Sequence, residues 1–269
     1  MMKVGTIWVL MARSTAVLVV LVGLWGAAAE AADAADEGRA TALKNKAKLA
    51  YWGVGERQDY RRALQLYEQA AALGDVEASY LAGGMYYTGK GAPRNLFKAF
   101  TYLDYAASQG QSSTDAQRAL AQFYLLGTVV PQNYAKAAEW YETAAAAGDP
   151  EAEVELGVLL FAGRGVEQDY ERAYELFQRA AYRNNQLAQY NLGIMWFTGN
   201  GVPQLDLTKA YAWFSVAAGN GLADAAQARD YVAGTLNESE LNRGQAEASR
   251  IFIELQRQRL PAAAADEPR

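Results

Sequence analysis

The sequence predicts an all-α chain built as an array of helical hairpins, and three observations carry that prediction. An Ala recurs at Ala42, Ala78, Ala116, Ala152 and Ala188, at spacings of 36, 38, 36 and 36 residues, with a weaker sixth at Ala225. Eleven residues after each of the five stands a Gly (Gly53, Gly89, Gly127, Gly163, Gly199). Ten or eleven residues further on comes a second Ala (Ala63, Ala99, Ala137, Ala173, Ala210), followed by an Ala pair such as Ala144-Ala145. Between these markers the apolar residues follow the helical period of 3.6. A fixed period of this size is the signature of a repeat array, in which each unit buries its apolar face against its neighbours.

Taken in order, the chain opens on a leader pattern. Lys3 and Arg13 precede an apolar stretch from Ala16 to Trp25, and Ala27-Ala28-Ala29 supplies the small residues that a leader peptidase reads. Residues 1–29 are therefore expected to be a signal peptide that directs the chain out of the cytoplasm, with an uncleaved membrane anchor as the alternative. An Ala/Asp/Glu stretch over 30–39 reads as a linker. The array is expected over 40–235.

The fourth unit shows how one repeat is built. Val154, Leu156, Val158, Leu159, Leu160 and Phe161 describe a first helix that stops at Gly163, the residue suited to a left-handed C-terminal position. Tyr170, Ala173, Leu176, Phe177, Ala180 and Ala181 describe the second helix. Four residues before each inner Ala stands Asp59, Asn95, Asn133, Asp169 or Asp206, which reads as the N-cap of the second helix rather than as a catalytic carboxylate. A second Gly at Gly55, Gly91, Gly165 and Gly201 is expected to extend the turn, and the third unit departs from this with Val129. The inner alanines allow close helix approach, and Tyr67, Tyr141, Phe177 and Phe214 are expected in the core between them. A cation precedes each inner Ala (Arg62, Lys98, Lys136, Arg172, Lys209), and pairing with an adjacent repeat or exposure to solvent both fit it. After Gly234, Asn237 and Glu240 have N-cap to N3 spacing and open a capping helix over 236–260, with Leu241, Ala248, Ile251, Phe252 and Leu255 on its inward face. The tail 261–269 is Ala-, Pro- and charge-rich and is expected to be disordered.

Composition excludes several functions. The chain has no Cys and no His, which removes disulfides, thiolate nucleophiles, imidazole bases and the usual zinc and haem ligands, so no cofactor or metal is expected. The net charge is −5, and loss of Lys3 and Arg13 with the leader makes it about −7, which disfavours nucleic acid and anionic lipid. A membrane contact is expected only through an uncleaved leader.

The combined pattern A-x3-L-G-x2-Y-x2-G-x-G-V-x2-D-x2-K-A-x2-W resembles the Sel-one-like repeat, a branch of the tetratricopeptide-like solenoids. The fifth unit carries most of it in Leu192-Gly193, Gly199, Gly201-Val202, Asp206, Lys209-Ala210, Trp213 and Ala217-Ala218. The resemblance implies a right-handed superhelix of antiparallel helix pairs that serves as an adaptor, often in bacterial envelopes. A secreted branch with a disulfide in each repeat and links to penicillin-like compounds is a poor fit to a chain without Cys. The leader and the resemblance together imply a periplasmic location, with anchoring in the inner membrane as the alternative.

The same resemblance points to the positions two, six and nine residues after each first anchor as the partner-binding surface. These hold Tyr80 and Tyr87, Arg118 and Gln122, Val154, Val158 and Phe161, and Tyr190, Ile194 and Phe197. Tyr80, Tyr87, Arg118, Gln122, Tyr190 and Phe197 are the candidates for contact with a protein or peptide of the envelope. A carbohydrate or peptidoglycan fragment also suits a surface of aromatic rings with a few hydrogen-bonding groups. A hydrolase built on Glu153 and Glu155 is less favoured, because residues two apart on a helix face different directions. No catalytic residue is assigned.

Overall fold

The computed structural model describes residues 33–55 and 57–259, with side chains described as far as 257. The leader expected over 1–29 and the tail expected over 261–269 lie outside the described residues. All regular structure within them is helical, and no helix there is long and apolar enough to cross a membrane. The helices group into two compact units, residues 1–111 and 112–269.

In the first unit α1 runs over residues 33–52 and is followed by α2 (Tyr60–Ala72), α3 (Val76–Thr88) and α4 (Leu96–Ser108). The linker expected over 30–39 is helical from residue 33, since its Ala-rich composition favours helix even without an apolar face to bury. In the second unit come α5 (Thr114–Leu126), α6 (Tyr134–Ala146), α7 (Pro150–Ala162), α8 (Tyr170–Tyr182), α9 (Gln186–Thr198), α10 (Leu207–Gly219), α11 (Ala223–Ala233) and α12 (Glu238–Arg259). From α2 onward each helix packs on the next in sequence within its unit, except that α12 packs on α10.

The local chemistry of each hairpin is that expected. Asp59, Asn95, Asn133, Asp169 and Asp206 each accept from the backbone N–H three residues on, at 2.9–3.1 Å. The first helices are capped as well, by Asp75, Ser113, Asp149 and Asn185. Gly163 closes α7 in the left-handed conformation at φ 63°. Asn237 and Glu240 exchange reciprocal bonds of 3.0 Å at the start of α12.

The inner alanines Ala63, Ala99, Ala137, Ala173 and Ala210 are wholly buried. Tyr67, Tyr141, Phe177 and Phe214 lie beside them in the core, where burial pushes the Tyr67 phenol up to about 12. The Gly of each Leu-Gly pair makes room for the residue at this position: a Cβ on Gly157 would stand 2.6 Å from Phe177, and one on Gly193 2.5 Å from Phe214.

Ala78, Ala116, Ala152 and Ala188 are buried, and Ala42 is exposed. Two expectations need correction. The second Gly does more than extend a turn. A Cβ on Gly91 would fall 2.3 Å from the Tyr60 carbonyl oxygen, and one on Gly201 2.5 Å from that of Tyr170, so these glycines let one repeat rest on the backbone of the repeat before it. On α12, Ile251 and Leu255 are buried as expected, whereas Phe252 is 41% exposed.

Candidate functional site

Of the cations before the inner alanines, Lys98 and Arg172 reach the preceding repeat, and Lys98, Lys136 and Lys209 lie against an aromatic side chain on the first helix of their own hairpin. Lys98 donates to Glu68 at 3.1 Å and to the Tyr86 hydroxyl at 2.7 Å, and those bonds hold its ammonium above the usual lysine range. Arg172 donates to both carboxylate oxygens of Glu142. Lys136 lies 5.1 Å from the ring centre of Tyr124, and Lys209 lies 4.0 Å from that of Trp196. Lys98, Lys136, Arg172 and Lys209 thus each find a carboxylate or a π-face on a neighbouring helix, which accounts for a cation recurring beside the wholly buried inner Ala.

Among the surface candidates, Arg118 is a structural tie. Its guanidinium reaches both oxygens of Asp149 at 3.0 Å, Glu151 at 2.9 Å and Asp115 at 2.9 Å. Asp149 in turn accepts from the Ala152 N–H at 2.8 Å, so Arg118 on α5 fixes the start of α7. Lys44 plays the same part in the first unit, joining Asp75 at 2.8 Å and Glu77 at 3.0 Å. These two cations occupy equivalent positions, two residues after Ala42 and Ala116, a repetition that the sequence contained.

The other candidates divide between core and surface. In the first unit Tyr80 and Tyr87 are half-buried, and the Arg94 guanidinium lies 5.3 Å from the Tyr87 ring centre while its Nε donates to the Tyr87 carbonyl at 3.0 Å. In the second unit Val154 is buried, Gln122 is half-buried, and Tyr190 leans on Phe214 with ring centres 5.4 Å apart. Phe161 meets Tyr170 edge to face at 5.1 Å. Val158 is 39% exposed, and half-buried Ile194 and Phe197 stand at the equivalent and next outward positions of α9. Phe197 meets Tyr231 of α11 at 6.1 Å, and Tyr231 is 67% exposed. The second unit therefore presents apolar and aromatic groups on the outer faces of three consecutive first helices. Tyr231 stands six residues after Ala225, the position that the other repeats use, and the weakness of that sixth unit concealed it.

Glu153 and Glu155 do not form a working pair. Glu153 is buried and ion-paired to Arg179, at 3.0 Å, and to Arg183. Glu155 is half-buried, has no ion pair among the described residues, and has a carboxyl pushed above its ordinary value by burial. The buried side chain of Gln189 fills the place of Glu153 in the next repeat, donating to the Ala181 carbonyl at 3.2 Å and accepting from Asn220 at 2.8 Å. These groups satisfy the turns between repeats. No group of His, Cys, Asp and Glu able to hold a metal ion occurs among the described residues.

Comparison with known proteins agrees with this architecture. A family model described as the Sel1 repeat matches residues 47–75, 76–111, 114–149, 150–185 and 186–222, more than half of the chain. Among solved structures, the chain is similar to c5321, a protective antigen present in uropathogenic Escherichia coli strains and displaying an SLR fold. The identity is 25% and the TM-score 0.65, over 87% of this chain and 51% of c5321, so the chain spans about half the length of that relative. A Sel1 repeat protein from Oxalobacter formigenes is 26% identical with a TM-score of 0.56, over 81% of this chain and 88% of that one. No curated protein sequence matches. With five repeats in register and a core built on their recurring alanines, the chain belongs to the Sel1 repeat family, whose members are helical scaffolds for protein–protein interaction.

Proposed function

We propose that this chain is a non-enzymatic scaffold of the bacterial cell envelope, exported by its leader, that holds a protein partner on the first-helix surface of its second unit. The observation that carries the reading is the row of exposed Val158, half-buried Ile194 and Phe197, and exposed Tyr231, apolar groups on the first helices α7, α9 and α11 of consecutive repeats. Aromatic and aliphatic groups of this kind act as binding anchors when a partner covers them. The leader pattern of Lys3, Arg13 and Ala27-Ala28-Ala29 supports export to the periplasm.

The test has two arms. Mass spectrometry of the envelope fraction should find a mature N-terminus near Glu30, and an intact Met1 in a membrane-bound form would point to an anchor instead. Affinity capture with cross-linking should retain one partner on the wild-type chain and lose it with Val158→Asp and Tyr231→Ala, while circular dichroism stays unchanged. Equal capture by a folded double variant would remove this surface from the reading.

A carbohydrate-binding reading is favoured by one feature, the Trp52 ring in the first unit. It is 70% exposed and lies edge to face with Tyr51 at 5.0 Å. Binding of the chain to isolated peptidoglycan, lost in Trp52→Ala, separates the two readings.

A further inference from the structure

The net charge of −5, which weighs against anionic lipid for the chain as a whole, conceals an uneven distribution. In the first unit the turns inside the two hairpins and the helix starts after them, residues 53–62 and 89–98, carry six cations against two carboxylates. In the second unit the equivalent segments, 127–136, 163–172 and 199–209, carry four of each. The two basic segments lie together. The Lys90 ammonium donates to the Tyr51 hydroxyl at 2.9 Å and stands 5.7 Å from the Tyr60 ring centre, and Gly91 rests on the Tyr60 carbonyl. Lys98 is paired with Glu68, and Asp59 is engaged as the cap of α2. Arg57, Arg61, Lys90 and Arg94 are exposed and make no ion pair among the described residues. Lys90 and Arg94 donate to neutral oxygens, the Tyr51 hydroxyl and the Tyr87 carbonyl, so their charge is not cancelled.

Apolar side chains stand out of the same edge. Beside Trp52, Val54 is 59% exposed and Phe97 is 68% exposed. Trp52 joins the cluster through Tyr51, which meets Tyr60 edge to face at 5.0 Å. Phe97 is the second residue of α4, the place that Arg61 holds in α2. The other repeats put Lys90, Thr128, Arg164 and Asn200 in the place of Val54, so the array itself requires no apolar group there. Exposed rings and aliphatic groups set among unpaired cations suit an anionic bilayer, whose headgroup boundary takes the apolar groups while its phosphates meet the cations. A glycan can stack on Trp52 but gains little from Val54, which offers neither a flat ring nor a hydrogen-bonding group.

We propose that this edge of the first unit docks on the surface of an anionic phospholipid bilayer without spanning it. It uses none of the residues invoked for the partner surface of the second unit and stands whether or not that reading holds. It competes with the carbohydrate reading for Trp52, and the experiment separates the two.

The experiment is hydrogen–deuterium exchange of the full chain with vesicles, read at residues 52–62 and 89–98. Retention through the leader alone leaves these segments unprotected and is not mistaken for docking. The probes are vesicles of phosphatidylcholine and vesicles containing about one-third phosphatidylglycerol, which supply the negative surface potential. The anionic vesicles should protect both segments and the neutral ones should not. Protection should disappear in about 1 M salt, where the Debye length falls to about 3 Å. Arg57→Gln combined with Arg61→Gln should weaken vesicle binding by about 25-fold, at about fivefold per cation. Trp52→Ala combined with Phe97→Ala should weaken it by about tenfold or more through loss of inserted apolar area, with circular dichroism unchanged because both side chains face solvent. Should the aromatic variant fail to fold, the arginine variant carries the test alone. The proposal falls if the two vesicles act alike, if neither protects these segments, or if the arginine variant binds as the wild type does. It also falls if soluble polygalacturonate protects the same segments as strongly as the anionic vesicles, which would assign the edge to a glycan.

Discussion

Gly91 and Gly55 offer a measurement of what holds one repeat against the next. Both lie in the first unit at equivalent turn positions, and both have left-handed backbones, with φ of 84° and 78°. Replacement by Ala therefore costs each of them the same conformational term, about 1–2 kcal/mol. Their surroundings differ. A Cβ at position 55 meets nothing within 4 Å, whereas one at position 91 falls 2.3 Å from the Tyr60 carbonyl oxygen and 2.8 Å from its carbon. These are backbone atoms at the start of α2, so no side chain can swing aside and the repeats must separate, adding about 1–3 kcal/mol of overpacking strain. Gly55→Ala should thus cost about 1–2 kcal/mol and Gly91→Ala about 2–5 kcal/mol. For a cooperative unit of about 60–100 residues each kcal/mol lowers Tm by about 4–8 °C, so the two melts should be well resolved by far-UV circular dichroism. Equal melting temperatures would refute the argument that the second glycine exists for contact between repeats.

Other expectations follow from the same contacts. Gly163→Val should destabilise more than Ala162→Val, because a β-branched residue at φ 63° is strained while position 162 is exposed helix; thermal melts compare them. Arg118→Ala should lower stability by about 1–2 kcal/mol in urea titration, less than the loss of a fully buried pair because its side chain keeps 26% exposure. Glu155→Gln should stabilise the chain at neutral pH. Burial raises the carboxyl above its ordinary value of 4.5, so the native state favours the protonated form, and stability present below that value is lost as pH rises through the raised one. Melts of the variant and wild type should therefore converge in acid and separate towards neutrality. Tyr190→Ala should cost stability as well as any binding, through its contact with Phe214, whereas Tyr231→Ala should leave the melt nearly unchanged.

The sequence by itself determined the all-α class, the period, the hairpin within each repeat, the caps at Asp59 to Asp206 and the capping box of α12. All of these are short-range: a cap bonds three residues away, a left-handed Gly acts at its own φ, and an amphipathic stripe is legible within one helix. What the sequence could not decide lies between helices that are about 30 residues apart in the chain. Arg118 read as a surface cation because its position suited a groove, yet three carboxylates from α5 and the start of α7 claim it. Val154 and Val158 looked alike, and only packing put one inside and left the other 39% exposed. The second glycines read as turn residues until the Tyr60 and Tyr170 carbonyls were seen beside them. On a helix one residue is a rotation of about 100°, so the difference between core and surface rests on where the neighbouring helix crosses. That crossing is set jointly by the alanines and rings of two repeats, and it exists only once they are folded together.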